Sequence, residues 1–232
     1  MSLEVIHFHS PQCDSTQTQI LEYLRANSTT KPLLFSSSFQ TLGRGRQGNT
    51  WQSASNSLAL SFTVKPNEVL TLTSLELGVL ICDFLSLYKL QLKWPNDILT
   101  HDLFKCGGIL CQTYSEKIVA GLGLNLGQSE KIEKCEEFKF GRSSITNKSL
   151  SNEEIKNISL ELYEYILSNR ISSIEVIKKW NDKCAHMNKN VLIKDDTFHL
   201  EGVFKGIGSS GEALIEDKGL IQKAYSGSIY LI

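Results

Sequence analysis

The segment Gly43-Arg44-Gly45-Arg46-Gln47-Gly48, or GRGRQG, limits the fold more strongly than any other part of the sequence. Its three glycines let the backbone approach a ligand closely and adopt positive φ angles. Its two arginines carry fork-shaped donors that match phosphate and carboxylate groups. The segment therefore indicates a loop for an anionic, phosphate-bearing ligand, although a solvated basic loop has the same composition.

The residues after this loop argue against two common phosphate-binding folds. The segment matches the G-x-G-x-x-G dinucleotide fingerprint and nearly matches the P-loop pattern. Both motifs need a helix directly afterwards, because the helix N-terminus holds the phosphates. Here the chain continues as NTWQSASNS and then as a predicted strand, SLALSFTV, at residues 57–64. Asn49 also stands where the P-loop needs its lysine, so neither fold is predicted.

Strand and helix patterns alternate irregularly on both sides of the loop. Period-two or short apolar runs predict strands at residues 3–8, 32–38, 57–64, 90–93, 104–113 and 117–126. Helices are predicted after Asp14-Ser15-Thr16, over residues 74–88, and after the capping boxes that begin at Ser151 and Ser172. This mixture predicts an α+β fold.

The pattern changes at about His186. Five short β-like runs follow, VLIK, FHLEGVF, EALIED, LIQKAY and SIYLI, and they are punctuated by Gly206, Gly208, Gly211, Gly219 and Gly227. Such a series predicts a small all-β module. We therefore predict two domains, a larger one over residues 1–186 and a small β-domain over residues 187–232.

Composition argues against several functional classes. Lys and Arg number 24 against 25 Asp and Glu, whereas nucleic-acid-binding surfaces usually need a basic excess. The N-terminal MSLEVIHFHS lacks the features of a secretory signal, and charges interrupt the longest apolar stretch, at 75–90. The six cysteines form no C-x-x-C pair, which favours reduced thiols. We expect a cytoplasmic protein that binds neither nucleic acid nor membrane.

The segment Lys93-Trp94-Pro95-Asn96-Asp97 is a second candidate for ligand binding. A rigid Trp-Pro corner after a strand presents the Asn96 amide and the Asp97 carboxylate at a fixed place. The carboxylate could hold Mg²⁺, which prefers oxygen ligands. An ordinary turn is the alternative, since Asn and Asp are common turn residues.

Two glycine-containing strands are the remaining candidates. In Lys105-Cys106-Gly107-Gly108-Ile109-Leu110, the lysine can reach a phosphate while the backbone passes close to a ligand. An exposed edge lysine is the alternative. In Gly121-Leu122-Gly123-Leu124-Asn125-Leu126, the small residues mark a close approach beside the Asn125 amide. Tight sheet packing would explain the same pattern.

The order of these motifs resembles that of biotin protein ligases. An early Ser-Thr pair, GRGRxG, KWPND, K-x-x-G-I-L and G-x-G-x-N follow one another along nearly the whole chain. The final GSIYLI is similar to the end of the family's small barrel. The resemblance implies a mixed-sheet catalytic domain of the biotin/lipoate ligase type, followed by an SH3-like β-barrel.

The resemblance also implies which residues bind the two substrates. The residues implied for biotin are Ser15, Thr16, Gln40, Arg44, Gly45, Arg46, Lys105 and Gly107. The residues implied for ATP are Arg44, Arg46, Trp51, Lys93, Asn96, Asp97, Lys105 and Asn125.

Particular roles follow for several of these residues. Ser15 and Thr16 match positions whose hydroxyls meet the ureido ring of biotin, and Gln40 matches a glutamine before the loop that also contacts biotin. Lys105 matches a lysine that bridges the biotin carboxylate and the α-phosphate, and Arg46 lies in the loop that orders over the adenylate.

Lys105 and Arg46 are accordingly the predicted catalytic residues. Trp51 resembles an aromatic residue that stacks on adenine, with Asn125 near it. Lys93 is implied for phosphate, and Asp97 for the metal or phosphate.

The implied activity is the ATP-dependent activation of biotin to biotinyl-5′-AMP and its transfer to a lysine of a biotin carboxyl carrier protein. ATP and Mg²⁺ are the implied cofactors, and the enzyme is expected to be a monomer or a homodimer. Thr41-Leu42 and Asn49-Thr50 depart from the residues that relatives carry around the loop, which affects the details of loop closure.

Three alternatives to a biotin ligase stay open. A lipoate or octanoate ligase of the same fold is the nearest, although such enzymes carry a different glycine-rich signature. A DNA-binding repressor is disfavoured, because Ser15-Thr16 leaves little room for a preceding helix-turn-helix module. An inactive binding module is disfavoured by the presence of each expected polar residue.

Overall fold

The computed structural model describes residues 4–54, 56–133, 140–195 and 198–232, including only the backbone of Gln47. The helices in these ranges are α1 (Thr16–Ala26), α2 (Thr73–Phe84), α3 (Asn152–Ser168) and α4 (Ser173–Asp182). The strands are β1 (Ile6–Cys13), β2 (Leu33–Gln40), β3 (Gly43–Arg44), β4 (Thr50–Trp51), β5 (Leu58–Val64), β6 (Gln91–Lys93), β7 (Asp97–Leu99), β8 (Lys105–Tyr114), β9 (Lys117–Leu124), β10 (Asn190–Lys194), β11 (His199–Ile207), β12 (Ala213–Asp217), β13 (Leu220–Ala224) and β14 (Ser228–Leu231). The predicted α+β class is confirmed.

The chain divides into two compact units. The first unit comprises Met1–Pro66 and Phe104–Asn169, and the second comprises Asn67–Leu103 and Arg170–Ile232. Neither unit is continuous in sequence, because each takes two segments of the chain. The two domains predicted from the sequence, residues 1–186 and 187–232, are each continuous and do not correspond to these units. Their boundary stays a prediction.

A mixed sheet forms the centre of the first unit. The five strands that this unit contributes to the sheet lie in the order β1-β2-β5-β9-β8, with β1 and β2 parallel and the other pairs antiparallel. All seven residues of β5 are buried. Burial on both faces requires cover on both sides of the sheet, and the helices provide it.

Helices α1 and α3 pack on opposite faces of this sheet. Ile20 and Leu21 of α1 form a buried cluster with Leu33 and Val119. On the other face the Tyr163 hydroxyl of α3 donates to the Thr63 carbonyl at 2.6 Å. In β5, Ser61 contacts α1 whereas Phe62 contacts Tyr163, as expected from the alternation of side chains along a strand.

Capping residues begin the helices where the sequence predicted them. The Ser15 hydroxyl accepts from the Thr18 N–H at the start of α1. Ser151 and Ser172 each form a complete capping box, with Glu154 and Glu175 respectively. Such boxes satisfy N–H groups that the first helical turn leaves unpaired. The predicted starts of α3 and α4 are therefore confirmed.

In the second unit, an ion pair anchors α2. Glu76 is fully buried, and its carboxylate accepts from the Arg170 guanidinium at 2.6 and 2.7 Å, from the Asn67 amide and from the Ile171 N–H. Such complete pairing offsets the cost of burying a polar side chain.

The C-terminal part of the second unit is an antiparallel sheet, in the order β13-β12-β11-β10-β14. The five predicted C-terminal strands are thus confirmed.

The structure corrects several sequence-based boundaries. The first strand begins later than predicted and continues through Pro11, which an edge strand tolerates. Helix α2 ends at Phe84, and a 3-10 turn then leads to Lys89, whose φ of 49° stops helical continuation. Strands β3, β4 and β7 were not predicted, because two or three residues carry no readable periodicity.

The described helices and cysteines bear on two further expectations. None of the helices in the described ranges has the length and apolar character needed to cross a membrane. Five cysteines in those ranges are unpaired thiols, whereas Cys135 lies outside the described residues.

Candidate functional site

A cluster of buried polar side chains surrounds the start of α1. The Thr16 N–H donates to Gln40 Oε1 at 2.8 Å, and the Thr16 hydroxyl lies 3.1 Å from that oxygen and 2.9 Å from Ser61 Oγ. Ser61 Oγ in turn donates to Gln17 Oε1 at 3.0 Å. We call Thr16, Gln17, Gln40 and Ser61 the α1 polar cluster. The predicted residues Thr16 and Gln40, 24 positions apart, are thus brought into contact.

Two members of this cluster were missed by the sequence analysis. Gln17 and Ser61 are 5% and 0% exposed, so both side chains belong to the interior. A serine inside the otherwise apolar run LALSFTV was the available signal for Ser61. Gln17 carried no comparable signal, because a glutamine in the first turn of a helix is ordinary.

The Gly-Arg loop, residues 43–51, folds as a short hairpin. Gly43 pairs with Trp51, and Arg44 pairs with Thr50. The Gly45 N–H donates to the Asn49 carbonyl at 2.7 Å across the turn. At Gly43 an added Cβ would lie 2.6 Å from the Trp51 carbonyl oxygen, so the hairpin requires glycine there. At least one glycine of the motif is therefore required by the fold of the loop.

Thr41 and Leu42 fix the start of this loop. The Thr41 N–H donates to the Cys13 carbonyl at 3.0 Å, and the Leu42 N–H donates to the Asp14 carbonyl at 2.9 Å. The Thr41 hydroxyl also donates to the Asp14 carboxylate at 2.8 Å. The departure of Thr41-Leu42 from the family pattern is thus accommodated by anchoring contacts.

Cys13 contributes to this anchor only through its carbonyl group. Burial raises the pKa of its thiol, which therefore stays protonated at neutral pH and is a poor nucleophile.

Trp51 and Lys105 meet above strand β9. The Trp51 indole lies against Gly123 so closely that an added Cβ there would be 2.5 Å from the ring. The Lys105 ammonium lies 5.9 Å from the centroid of the Trp51 ring. The glycines of this strand were predicted to let another group come close to the backbone. In the structure these groups are side chains of the protein: Trp51 lies close to Gly123, and Gln17 lies close to Gly121.

Two buried polar atoms near Gly123 have no hydrogen-bond partner among the described residues. They are Trp51 Nε1, a donor, and Asn125 Oδ1, an acceptor. The Asn125 backbone is fixed, since its N–H donates to the Cys106 carbonyl at 2.8 Å. Buried polar atoms are nearly always paired, so an unpaired donor and acceptor suit a polar ligand.

The remaining predicted residues of the first unit have simple positions. Ser15 is buried as the N-cap of α1, Arg44 is exposed and Arg46 is half-buried. Gly107 is buried in β8 and pairs with Leu124. Gly45 is half-buried within the hairpin. Their predicted ligand contacts stay predictions.

The Trp-Pro turn, residues 93–97, belongs to the second unit. Lys93 Nζ and Asp97 Oδ2 are 2.8 Å apart, with side chains 7% and 12% exposed. The Trp94 indole donates to the Gly211 carbonyl at 3.0 Å, whereas Asn96 is half-buried in the turn. Lys93 was predicted to bind phosphate, and Asp97 to bind a metal or phosphate. In the structure their charged groups instead face each other.

The described residues hold no cluster of three or more His, Cys, Asp or Glu side chains able to bind a metal. A metal site formed by protein side chains alone thus does not fit the described ranges. The assignment of Asp97 to a metal stays a prediction.

Comparisons with known proteins were made by sequence and by structure. The sequence model of the biotin/lipoate A/B protein ligase family matches residues 9–129. Biotin–protein ligase 2 of Arabidopsis thaliana is 35% identical over 109 residues, which are 40% of this chain and 33% of the relative. The bifunctional ligase/repressor BirA of Escherichia coli is 24% identical over 244 residues, with 95% of this chain and 72% of BirA covered.

A solved structure covers the chain almost completely. It is the biotin protein ligase from Aquifex aeolicus in complex with biotin and ATP, which is 25% identical and has a TM-score of 0.72. The match covers 97% of this chain and 98% of the other. Since the family model also matches more than half of the residues, the chain belongs to the biotin/lipoate A/B protein ligase family.

Proposed function

We propose that this protein activates biotin with ATP to biotinyl-5′-AMP and transfers the biotin to the acceptor lysine of a biotin carboxyl carrier protein. The family match supports this activity; two of the three relatives named above are called biotin protein ligases, and the third is called a bifunctional ligase/repressor. The meeting of Trp51 and Lys105 above β9 carries the proposal, because it combines an aromatic surface for adenine with a cation for phosphate.

The α1 polar cluster favours biotin over lipoate. Its groups are uncharged and buried, and they offer both donors and acceptors. The ureido ring of biotin is also uncharged and carries N–H donors beside a carbonyl acceptor. The dithiolane ring of lipoate has neither, so it would leave the buried groups of the protein unpaired. Such a loss disfavours the wrong ligand strongly.

In the first step a biotin carboxylate oxygen attacks the α-phosphorus of ATP. A new P–O bond forms, and the bond to pyrophosphate breaks. The reaction brings two anions together, so a cation at the α-phosphate lowers the barrier. We assign this role to Lys105, with Arg44 and Arg46 adding positive charge from the loop. Mg²⁺ would arrive bound to the phosphates of ATP, as it commonly does in such sites.

In the second step the neutral ε-amine of the carrier lysine attacks the biotinyl carbonyl. A C–N bond forms, the C–O bond to AMP breaks, and the nitrogen loses a proton. The mixed anhydride is already activated, so no enzyme nucleophile is needed. The Gly-Arg loop would keep water from the adenylate until the carrier arrives.

The decisive experiment mixes the protein with biotin, MgATP and a biotin carrier domain, and measures the mass of the carrier. We expect a gain of one biotin on the acceptor lysine, and none without ATP or on a carrier whose acceptor lysine is replaced by arginine. Lipoate should compete poorly with biotin in ATP–pyrophosphate exchange. An unmodified carrier, or a clear preference for lipoate, would contradict the proposal.

A further inference from the structure

Gln17 has an unusual position for a glutamine, since only 5% of it is exposed. Its Nε2 group donates to the Val119 carbonyl at 3.3 Å, and its Oε1 atom accepts from Ser61 Oγ at 3.0 Å. An added Cβ at Gly121 would lie 2.7 Å from Oε1, so the neighbouring strand confines the carboxamide. The side chain is therefore fixed by three neighbours, on β5 and β9.

The Val119 carbonyl determines which way round the Gln17 carboxamide lies. A carbonyl oxygen only accepts hydrogen bonds, so the group beside it must be the NH₂ end. The oxygen end then faces Ser61 and can only accept, which makes Ser61 the donor. Because Ser61 has one hydroxyl proton, its oxygen must act as the acceptor toward Thr16, 2.9 Å away.

Counting hydroxyl protons in the same way assigns the direction in which the Thr16 hydroxyl donates. Its single proton has two acceptors within reach, Ser61 Oγ at 2.9 Å and Gln40 Oε1 at 3.1 Å. Gln40 Oε1 already accepts from the Thr16 N–H at 2.8 Å, whereas Ser61 Oγ would otherwise face Thr16 with lone pairs only, so we assign the proton to Ser61. This arrangement gives a donor to each acceptor of the α1 polar cluster. The Thr16 oxygen then has only lone pairs left for a ligand. The Gln40 NH₂ group, which donates to no described residue, supplies a donor beside it.

We propose that Gln17 is a positioning residue that sets the specificity for the ureido ring. It does so by making the Thr16 hydroxyl an acceptor next to the Gln40 donor. This pair complements the adjoining N–H and carbonyl of a cyclic urea. The inference rests on the proposed function, because it takes biotin as the ligand of this cluster. Gln17 itself acts through Ser61 and Thr16.

The test measures pyrophosphate exchange by Gln17→Met, which keeps the length of the side chain and removes both amide groups. Ser61 is then released to donate to Thr16, which removes the fixed direction of the chain of hydrogen bonds. We expect the KM for biotin to rise about tenfold, the value of roughly one hydrogen bond, with little change in kcat or in the KM for ATP.

Biotin analogues separate positioning from a general loss of structure. Methylation of one ureido nitrogen removes the N–H that would meet Thr16, and methylation of the other leaves it. The wild type should discriminate between the two N-methyl analogues, and Gln17→Met should discriminate much less. A variant that was merely less stable would bind both analogues with the wild-type ratio.

Ser61→Ala provides an independent variant if Gln17→Met does not fold, because it interrupts the same chain of hydrogen bonds. An unchanged KM for biotin in either folded variant, or an unchanged analogue ratio, would overturn the inference. Wild-type protein that catalyses no biotin-dependent exchange would instead overturn the proposed function. That result would appear before any variant is made.

Discussion

The Gly-Arg loop and the Trp-Pro turn both looked like ligand-binding segments in the sequence, yet their structures differ. The loop is a hairpin with two paired residues on each side, and Arg44 within it is exposed. The turn buries an ion pair of 2.8 Å and the nearby Trp94, which is 2% exposed. Most of the loop is exposed or half-buried, whereas the turn is part of the core of its unit.

A sequence motif thus shows which chemical groups are available, but not whether those groups already bind one another. A buried ion pair is costly to break, because separating it leaves a charge in a poorly solvated place. An exposed polar hairpin has few apolar contacts to lose, and such segments open easily. Mutations should therefore affect stability at the turn and chemistry at the loop.

The largest effect is expected for Asp97→Ala. Removing one partner of a buried ion pair typically costs about 3–5 kcal/mol, so we expect a loss near the lower value, since a small part of each side chain is exposed. Urea unfolding measures it. Glu4→Ala is the control, because Glu4 and Lys31 pair at 2.7 Å on the surface and should contribute under about 1 kcal/mol. Equal stability of Asp97→Ala and wild type would remove the contrast between loop and turn.

The second effect concerns pH, because Lys93 also influences a buried histidine. Burial, followed by the charges of Lys93 and Lys189, lowers the pKa of His186 to about 3. The folded protein keeps this ring neutral, whereas the unfolded chain protonates it below about pH 6.5. Acid should therefore destabilise the fold, by about 2–3 kcal/mol from this group between pH 6.5 and 4.5.

Urea unfolding at several pH values tests this expectation. His186→Phe keeps a ring against Phe204, whose centroid lies 4.2 Å from that of His186, and it removes the titration. The variant should lose less stability on acidification than the wild type does. His7, whose pKa burial lowers to about 4, leaves part of the dependence in place. Identical pH profiles would show that His186 titrates normally.

The third effect moves from stability to chemistry. Lys105→Ala should slow adenylate formation at least about tenfold, because a charge-assisted contact is worth about 1.5–3 kcal/mol. Lys117→Ala is the matched control, since that lysine also opens a strand but donates to the Thr29 carbonyl at 3.1 Å. Pyrophosphate exchange at saturating substrates should distinguish them, and equal rates would exclude Lys105 from the reaction.

The smallest effect on stability is expected for Arg46→Gly, at most about 1 kcal/mol, because Arg46 is only half-buried. The glycine adds freedom to the hairpin and removes a guanidinium, so both changes favour an open loop. Adenylate should still form but escape, and it should then label serum albumin, which a blot for biotin detects. Lys218→Gly, in an exposed turn, is the control. Labelling no greater than that of wild type, with adenylate still produced, would show that the loop is no lid.

Much of the fold could be predicted from the sequence, because its signals are local. Ser151 and Ser172 mark helix starts through contacts within four residues, and glycines separate the last four of the five C-terminal strands, all of which are present. The family was likewise readable from the order of short motifs, and the match over residues 9–129 confirms it. The roles of individual site residues stay predictions.

The sequence alone indicated most of the helices and strands, the family and the types of residues available to the site. How those residues combine depends on the folded chain. Lys93 and Asp97 neutralise each other, and Gln17 joins Thr16 through Ser61, which lies 44 positions away in the chain. Propensity and capping act over only a few residues along the chain. Burial and hydrogen bonding act between whichever groups the fold brings together, and periodicity does not record them.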